Sequence, residues 1–244
     1  DADLLWNGGI GTYVRAPDEP DAACGDPAND AVRITSAELR VRVVAEGGNL
    51  GLTQRGRVAY ALGGGRVNVD AIDNSAGVDL SDHEVNLKMC LAPLVAGGEL
   101  TVEARNALLD AIGDDVAARV LVHNASQSRL LTLDQRRSQL RLDDFRRHLV
   151  EIERDLAVPR GRLGLPDGET LQARQAAAPG LTRPELAVLA AWTKIALGAA
   201  MRASTLLDDP ALESHLLDYF PARLRACAPE AVHRHRLRRE IIAV

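Results

Sequence analysis

Lysine is almost missing from this 244-residue chain: Lys88 and Lys194 are the only two. Chemistry that depends on a primary amine has just these residues to draw on. Cysteine is scarce too. Cys24, Cys90 and Cys227 are odd in number, far apart and without a CxxC pair, which favours reduced cytoplasmic thiols over a disulfide framework or a zinc site. Nothing resembles a signal peptide, and no uninterrupted apolar run reaches membrane-spanning length. The net charge of −5 gives no general pull towards nucleic acid.

Several motifs are absent as well. No Walker A loop occurs, and Gly9-x-Gly11 is not a dinucleotide fingerprint because Val14 stands where the third glycine belongs. Six histidines form no HExxH, and His233-x-His235 sits among arginines whose charge would repel a cation, so no metal site is expected. The basic run from His233 to Arg239 reads as a solvated helix face rather than a nucleic-acid contact. No Ser-His-Asp or Cys-His arrangement follows from spacing, and no catalytic residue is assigned.

What the chain does contain is concentrated between Val41 and Ser81. Val41, Val43 and Val44 suit a strand, and the Glu46-Gly47-Gly48-Asn49 corner lies where it should end. Thr53 is placed to cap a helix running to Leu62, with Gly63 after it. Val67 and Val69 suggest a second strand leading into the corner Asn74-Ser75-Ala76-Gly77. Strand, helix and strand within about thirty residues predict a βαβ unit with parallel strands, and ligands of such sheets sit at the carboxyl ends. Asp3-Leu4-Leu5-Trp6 reads as the end of a third, buried strand, followed by the corner Asn7-Gly8-Gly9-Ile10-Gly11. Glycine lets a ligand approach the backbone, and asparagine offers uncharged donors and an acceptor. Single corners of this kind are ordinary turns, whereas several at adjacent strand ends point to a nucleotide or cofactor pocket.

The remainder reads helical. Thr35-x-x-Glu38 has capping-box spacing, as do Ser81-x-x-Glu84 and Thr182-x-x-Glu185. The second of these predicts a helix starting at Ser81, with Asp82 and Glu84 in its first turn. Ala16 to Asp30 and Pro159 to Gly180 read as connections, and Thr101 to Ile112 as a helix closed by Gly113. Phe145, Leu149, Ile152 and Leu156 form an amphipathic stripe. Asp209-Pro210 opens a helix that ends near Phe220-Pro221. Gly97-Gly98 marks the best boundary, which gives an α/β segment over 1–96 and a helical region over 97–244. The opening Asp1-Ala2-Asp3, without an initiator Met, is read as part of a longer polypeptide.

Three blocks carry a resemblance to a known family: Asp3 to Tyr13 (DLLWNGGIGTY), Glu46 to Gly51 (EGGNLG), and Asn68 to Asn86 with its NVDAIDNSAGVD and SDHEVN runs. They resemble the very large bacterial NAD-specific glutamate dehydrogenases. Leu181 to Leu189 (LTRPELAVL) and Leu237 to Ala243 (LRREIIA) are similar to the helical region that follows in those enzymes. The resemblance implies the C-terminal part of a Rossmann-like parallel sheet followed by a mainly α-helical region. It implies oxidative deamination of L-glutamate to 2-oxoglutarate and ammonia, with NAD taking the hydride, in a cytoplasmic enzyme that is a homo-oligomer at full length. It places Gly8 and Gly9 by the cofactor ribose, Asn49 near the nicotinamide half and Asn74 on the nicotinamide carboxamide. Val78 and Ser81 line the glutamate pocket, the Ser81 hydroxyl donating to the side-chain carboxylate. Ser75-Ala76 and Asp79 depart from the usual pattern. Lys88 and Lys194 match none of the family's lysines, so the acid-base machinery is expected outside this segment, which should be inactive alone. The alternative reading is a catalytically inactive nucleotide-sensing or helical interaction module.

Overall fold

In the computed structural model, which describes residues 2–177 and 180–243, four short strands near the amino end give way to helices. The order is β1 (Leu4–Asn7), β2 (Val14–Arg15), β3 (Ile34–Thr35), β4 (Val43–Glu46), α1 (Gln54–Leu62), α2 (Asp70–Asp73), α3 (Ser75–Ala96), α4 (Val102–Leu140) and α5 (Leu142–Leu156). Then come α6 (Gly168–Ala177), α7 (Arg183–Ala203), α8 (Glu213–Tyr219), α9 (Ala222–Cys227), α10 (Pro229–His233) and α11 (Arg238–Ala243). The molecule is thus mainly helical, with two small parallel sheets. It divides into two compact units, Asp1–Ser75 with Asn124–Lys194, and Ala76–His123 with Ile195–Val244.

In the first unit β1 pairs parallel with β4, Leu4 opposite Val43 and Asn7 opposite Glu46, and β2 pairs parallel with β3. Thr53 caps α1 by accepting a hydrogen bond from the Gly56 N–H at 2.9 Å, as its spacing predicts. The crossover from β4 through α1 returns in parallel, but only as one bridge between Val43 and Arg66. Val67 and Val69 do not extend it into the expected strand. The β4 amide that a longer neighbour would have used, Glu46 N–H, donates to the Asp73 carboxylate at 2.9 Å instead. Val14, Val44, Leu52, Tyr60 and Val67 form the small apolar core beneath. β1 is not the buried strand expected. Leu4, Leu5 and Trp6 are 52%, 37% and 64% exposed, because among the described residues β1 has a neighbour on one side only.

Local capping signals hold well. Glu38 accepts from the Thr35 N–H and hydroxyl, and Glu185 likewise from Thr182. The segment read as a connection from Pro159 to Gly180 contains α6. Its Arg174 holds the buried Glu185 through contacts of 2.7 and 2.9 Å. Residues 178 and 179 of that segment lie outside the described residues. α7 is long and apolar enough to cross a membrane by length and composition alone. Leu186, Ala187 and Leu189 on it are nevertheless buried.

The second unit is built on an apolar core in which Leu87, Leu91, Ile112 and Val116 meet Leu216, Phe220, Leu224 and Val232. The helix expected to stop at Gly113 runs on, since α4 extends from Val102 to Leu140. Glycine inside a helix costs about 1 kcal/mol, and burial of Ile112, Val116 and Val120 beside it more than offsets that. α3 begins at Ser75, six residues before the predicted start. Asp82 and Glu84 are therefore on the exposed side of a helix interior, not in a first turn.

Candidate functional site

The two paired strands β1 and β4 end side by side, and both are followed by glycine. The amides of Gly47 and Gly48 donate to the Asn7 carbonyl at 2.8 and 2.9 Å. A Cβ on Gly48 would overlap the Gly9 carbonyl, and one on Gly51 would overlap the Asn7 side-chain amide. Close packing of the two corners therefore explains those glycines. It does not explain Gly9, where a Cβ would meet nothing within 4 Å. The Gly9 backbone is open on that side, and Gly8, Gly9 and Asn49 are all exposed.

The second corner is pinned by charge. Glu46, fully buried, accepts from Arg57 Nε at 2.7 Å and Nη2 at 2.8 Å. It also accepts from the Leu52 N–H at 3.2 Å. Arg57 reaches Asp70 as well, at 3.3 Å, and Asp70 accepts from the Leu50 N–H at 2.8 Å. Burial works against the Arg57 charge, yet Glu46 and Asp70 hold the guanidinium above its ordinary range. Fork-to-carboxylate pairing of this kind is strong and directional. It fixes the Glu46–Leu52 loop at both ends.

A second line of contacts approaches from the other side. Arg183 donates to Asn68 Oδ1 at 2.8 Å, Asn68 Nδ2 to Asp73 Oδ1 at 2.7 Å, and Asp73 Oδ2 accepts the Glu46 N–H. Arg183 also grips Thr132 Oγ1 at 2.8 Å and the Ser128 carbonyl at 3.2 Å. Gln54 Nε2 donates to the Pro184 carbonyl at 3.1 Å. Arg183 and Pro184 of the LTRPELAVL run thus connect to the segment that carries the corner. Sequence reading missed Arg57, Asp70, Asp73 and Arg183. An acidic residue or arginine in a helical stretch carries no local mark of a partner eleven or more residues away.

Asn74, Val78 and Ser81 are placed differently from expectation. Asn74 does not follow a strand; it ends α2, its N–H donating to the Asp70 carbonyl at 2.8 Å, and α3 begins at the next residue. Asn124 of α4 ties this junction by donating to the Ile72 carbonyl at 2.9 Å and to Ser75 Oγ at 2.8 Å. Ser81 is not an N-cap but an exposed residue two turns into α3. Val78, 63% exposed, lies one turn before it on the same side. A cavity of about 530 Å³ lined by Leu39, Val41, Tyr60 and Gly65 lies at the starting end of β4, away from the glycine corners.

Two family models match the chain. Residues 1–134 match the bacterial NAD-glutamate dehydrogenase catalytic domain, and residues 178–244 match the glutamate dehydrogenase C-terminal family. Among curated proteins, the chain is 46% identical over 241 residues to an NAD-specific glutamate dehydrogenase of Pseudomonas aeruginosa. It is 45% identical over 241 residues to one of Halomonas elongata, and 42% identical over 240 residues to one of Mycobacterium tuberculosis. These alignments cover 98–99% of this chain and 15% of each relative.

Proposed function

Because the chain belongs to the bacterial NAD-glutamate dehydrogenase family, we propose that it supplies the cofactor-side portion of an enzyme that oxidatively deaminates L-glutamate. The products are 2-oxoglutarate and ammonia, with NAD as hydride acceptor, and the setting is the cytoplasm, with the full-length enzyme a homo-oligomer. In this reading residues 1–96 are the C-terminal portion of the catalytic domain, a Rossmann-like sheet reduced here to its parallel strand ends, and 97–244 form the helical region.

The observation that carries the reading is the open Gly9 backbone beside the Gly47–Gly48 corner, at the carboxyl ends of two parallel strands. The uncharged, exposed residues there fit a dinucleotide. Gly8 and Gly9 would admit the ribose to the backbone, and Asn49 and Asn74 would hydrogen-bond the nicotinamide half. When bound, NAD accepts the hydride. The chain's own part is to orient the ring through those amides, and to fix the glutamate side-chain carboxylate by Ser81 Oγ beside Val78. Lys88 is exposed and paired with Glu84, and Lys194 is exposed on α7, so the amine chemistry of the reaction is not assigned to this segment.

The test compares Asn74→Ala with Asp18→Ala in the full-length enzyme by steady-state kinetics over a range of NAD concentrations. Loss of one neutral hydrogen bond, about 0.5–1.5 kcal/mol, should raise the KM for NAD roughly two- to tenfold in the first variant. The second loses an exposed ion pair with Arg55 and should behave as wild type. Equal behaviour of the two would overturn the Asn74 assignment.

A further inference from the structure

His83 is the polar side chain of the second unit that its surroundings account for least. It is fully buried on α3, and neither ring nitrogen has a hydrogen-bond partner. A buried polar group left without a partner is destabilising. Its Nε2 points at Asp79 Oδ1, 3.5 Å away, one turn earlier on the same helix. The other oxygen of Asp79 is 2.8 Å from His123 Nδ1, on α4. One donor atom from each of the three residues lies within 4.8 Å of the other two.

We propose that Asp79, His83 and His123 form a binding site for a divalent transition cation of the zinc class. Residues at i and i+4 share a helix face, so Asp79 and His83 present a carboxylate oxygen and an imidazole nitrogen together, and α4 brings the second imidazole across. Two imidazoles and a carboxylate with a further position for water are a recurrent zinc ligand set. Bonds of about 2.0–2.1 Å put tetrahedral ligands about 3.3 Å apart. No pair then needs to draw in by more than about 1.5 Å, which rotation of the 44%-exposed His123 side chain can supply. The His83 ring plane is already set, stacked on Tyr219 with centroids 4.2 Å apart and 19° between planes. Tyr219 in turn takes a hydrogen bond on its hydroxyl from Asn86 at 2.8 Å. His123 opens onto a cleft of about 480 Å³, lined also by Arg119, Pro221 and Arg225, which gives a cation its entry path. Arginine there opposes a cation, so affinity rests on ligation rather than on net charge. Val78 and Ser81 lie on the opposite, exposed side of α3, and the site does not depend on the proposed reaction.

The experiment is isothermal titration of the full-length chain, stripped with a chelator, with zinc chloride. Cobalt(II) is used in parallel for its visible absorption. One equivalent should bind with a cobalt spectrum of tetrahedral type. His83→Gln, His123→Gln and Asp79→Asn should each weaken that equivalent by at least the roughly 10–100-fold that loss of an outer-shell partner costs. His148→Gln, on α5, should leave it unchanged. Because His83 is buried and its variant could misfold, His123→Gln, at an exposed position, decides the matter. Zinc binding that is absent from the wild-type chain, or equally tight in His123→Gln and Asp79→Asn, would overturn the site.

Discussion

The glycine corner of the first unit and the core of the second are held by different physics, although both units bury apolar side chains. In the first, the contacts around the corner are buried or half-buried ion pairs and charge-assisted hydrogen bonds: Glu46 with Arg57, and the line from Arg183 to Asp73. In the second, a single apolar cluster from Leu87 to Ile242 does the equivalent work. Apolar burial is non-directional and tolerates repacking. An arginine fork on a carboxylate fixes position and angle. Directional contacts gather where a loop must be held in one conformation, and apolar ones where helices need only stay together.

The sharpest way to break that contrast is to remove one anchor from each unit. Glu46→Ala leaves a buried guanidinium with only its 3.3 Å contact to Asp70, which costs up to about 3–5 kcal/mol, and Phe220→Ala should cost about 3–5 kcal/mol through its cavity. Hydrogen exchange separates them: the first variant should deprotect amides of β4 and α1 and spare α8 to α10, and the second the reverse. Pairing Glu46→Leu with Arg57→Met should restore much of the stability of the first unit, because an apolar replacement of a buried pair is often neutral. If the double variant is as unstable as the single one, the loss comes from the contacts that Glu46 makes to Arg57 and to the Leu52 amide and not from a stranded charge.

A smaller effect is expected at Arg183. Hydrogen bonds to charged groups contribute about 1.5–3 kcal/mol, so Arg183→Ala should lower stability by about that amount and also raise the KM for NAD in the full-length enzyme. Loss of stability with NAD binding untouched would mean that the line through Asn68 and Asp73 ends before the corner.

How far the sequence could be read follows from the same contrast. Thr53, Thr35 with Glu38, and Thr182 with Glu185 were legible because a cap and its partner are three residues apart. So was the burial of Leu149 and Ile152 on α5. Asn74 was read as a strand-end corner because the alternation of Val67 and Val69 is a strand signal. The contact that overrides it, Asp73 to the Glu46 amide, spans 27 residues. Ser81 was read as a cap because Ser-x-x-Glu is a capping pattern, yet Ser75 to Leu80 contains no breaker strong enough to delay the helix. The glycine corners after β1 and β4 were each legible, but the expected crossover made Asn74–Gly77 the neighbour of the Glu46 corner where pairing makes it Asn7–Gly11; the arginine and aspartates that brace the Glu46 corner were not legible.

That correction sharpens a third prediction. With Ser81 exposed inside α3, Ser81→Ala removes no cap and should leave the melting temperature unchanged, or slightly raised by the better helix former. Any increase in the KM for glutamate then reports contact with substrate alone. A drop in melting temperature of the size a lost cap gives, about 1 kcal/mol, would contradict the helix start at Ser75.

The smallest effect concerns the thiols. Burial pushes the Cys90 thiol up to about 11, within the apolar cluster of the second unit, while Cys227 is exposed. A disulfide reagent at neutral pH should modify Cys227 at once and Cys90 only on unfolding. Comparable rates would mean that the cluster opens readily and is not the better-protected of the two cores.

Trp6 can serve as a reporter of the corner. Its indole is 64% exposed, yet it lies against Gly47 closely enough that a Cβ there would strike the ring. Only one other tryptophan exists in the chain, Trp192 on α7. With Trp192→Phe, the emission of this segment would come from one fluorophore standing over the glycine corner. Quenching of that light, or its transfer to a reduced nicotinamide, would time the arrival and departure of a ligand without waiting for turnover.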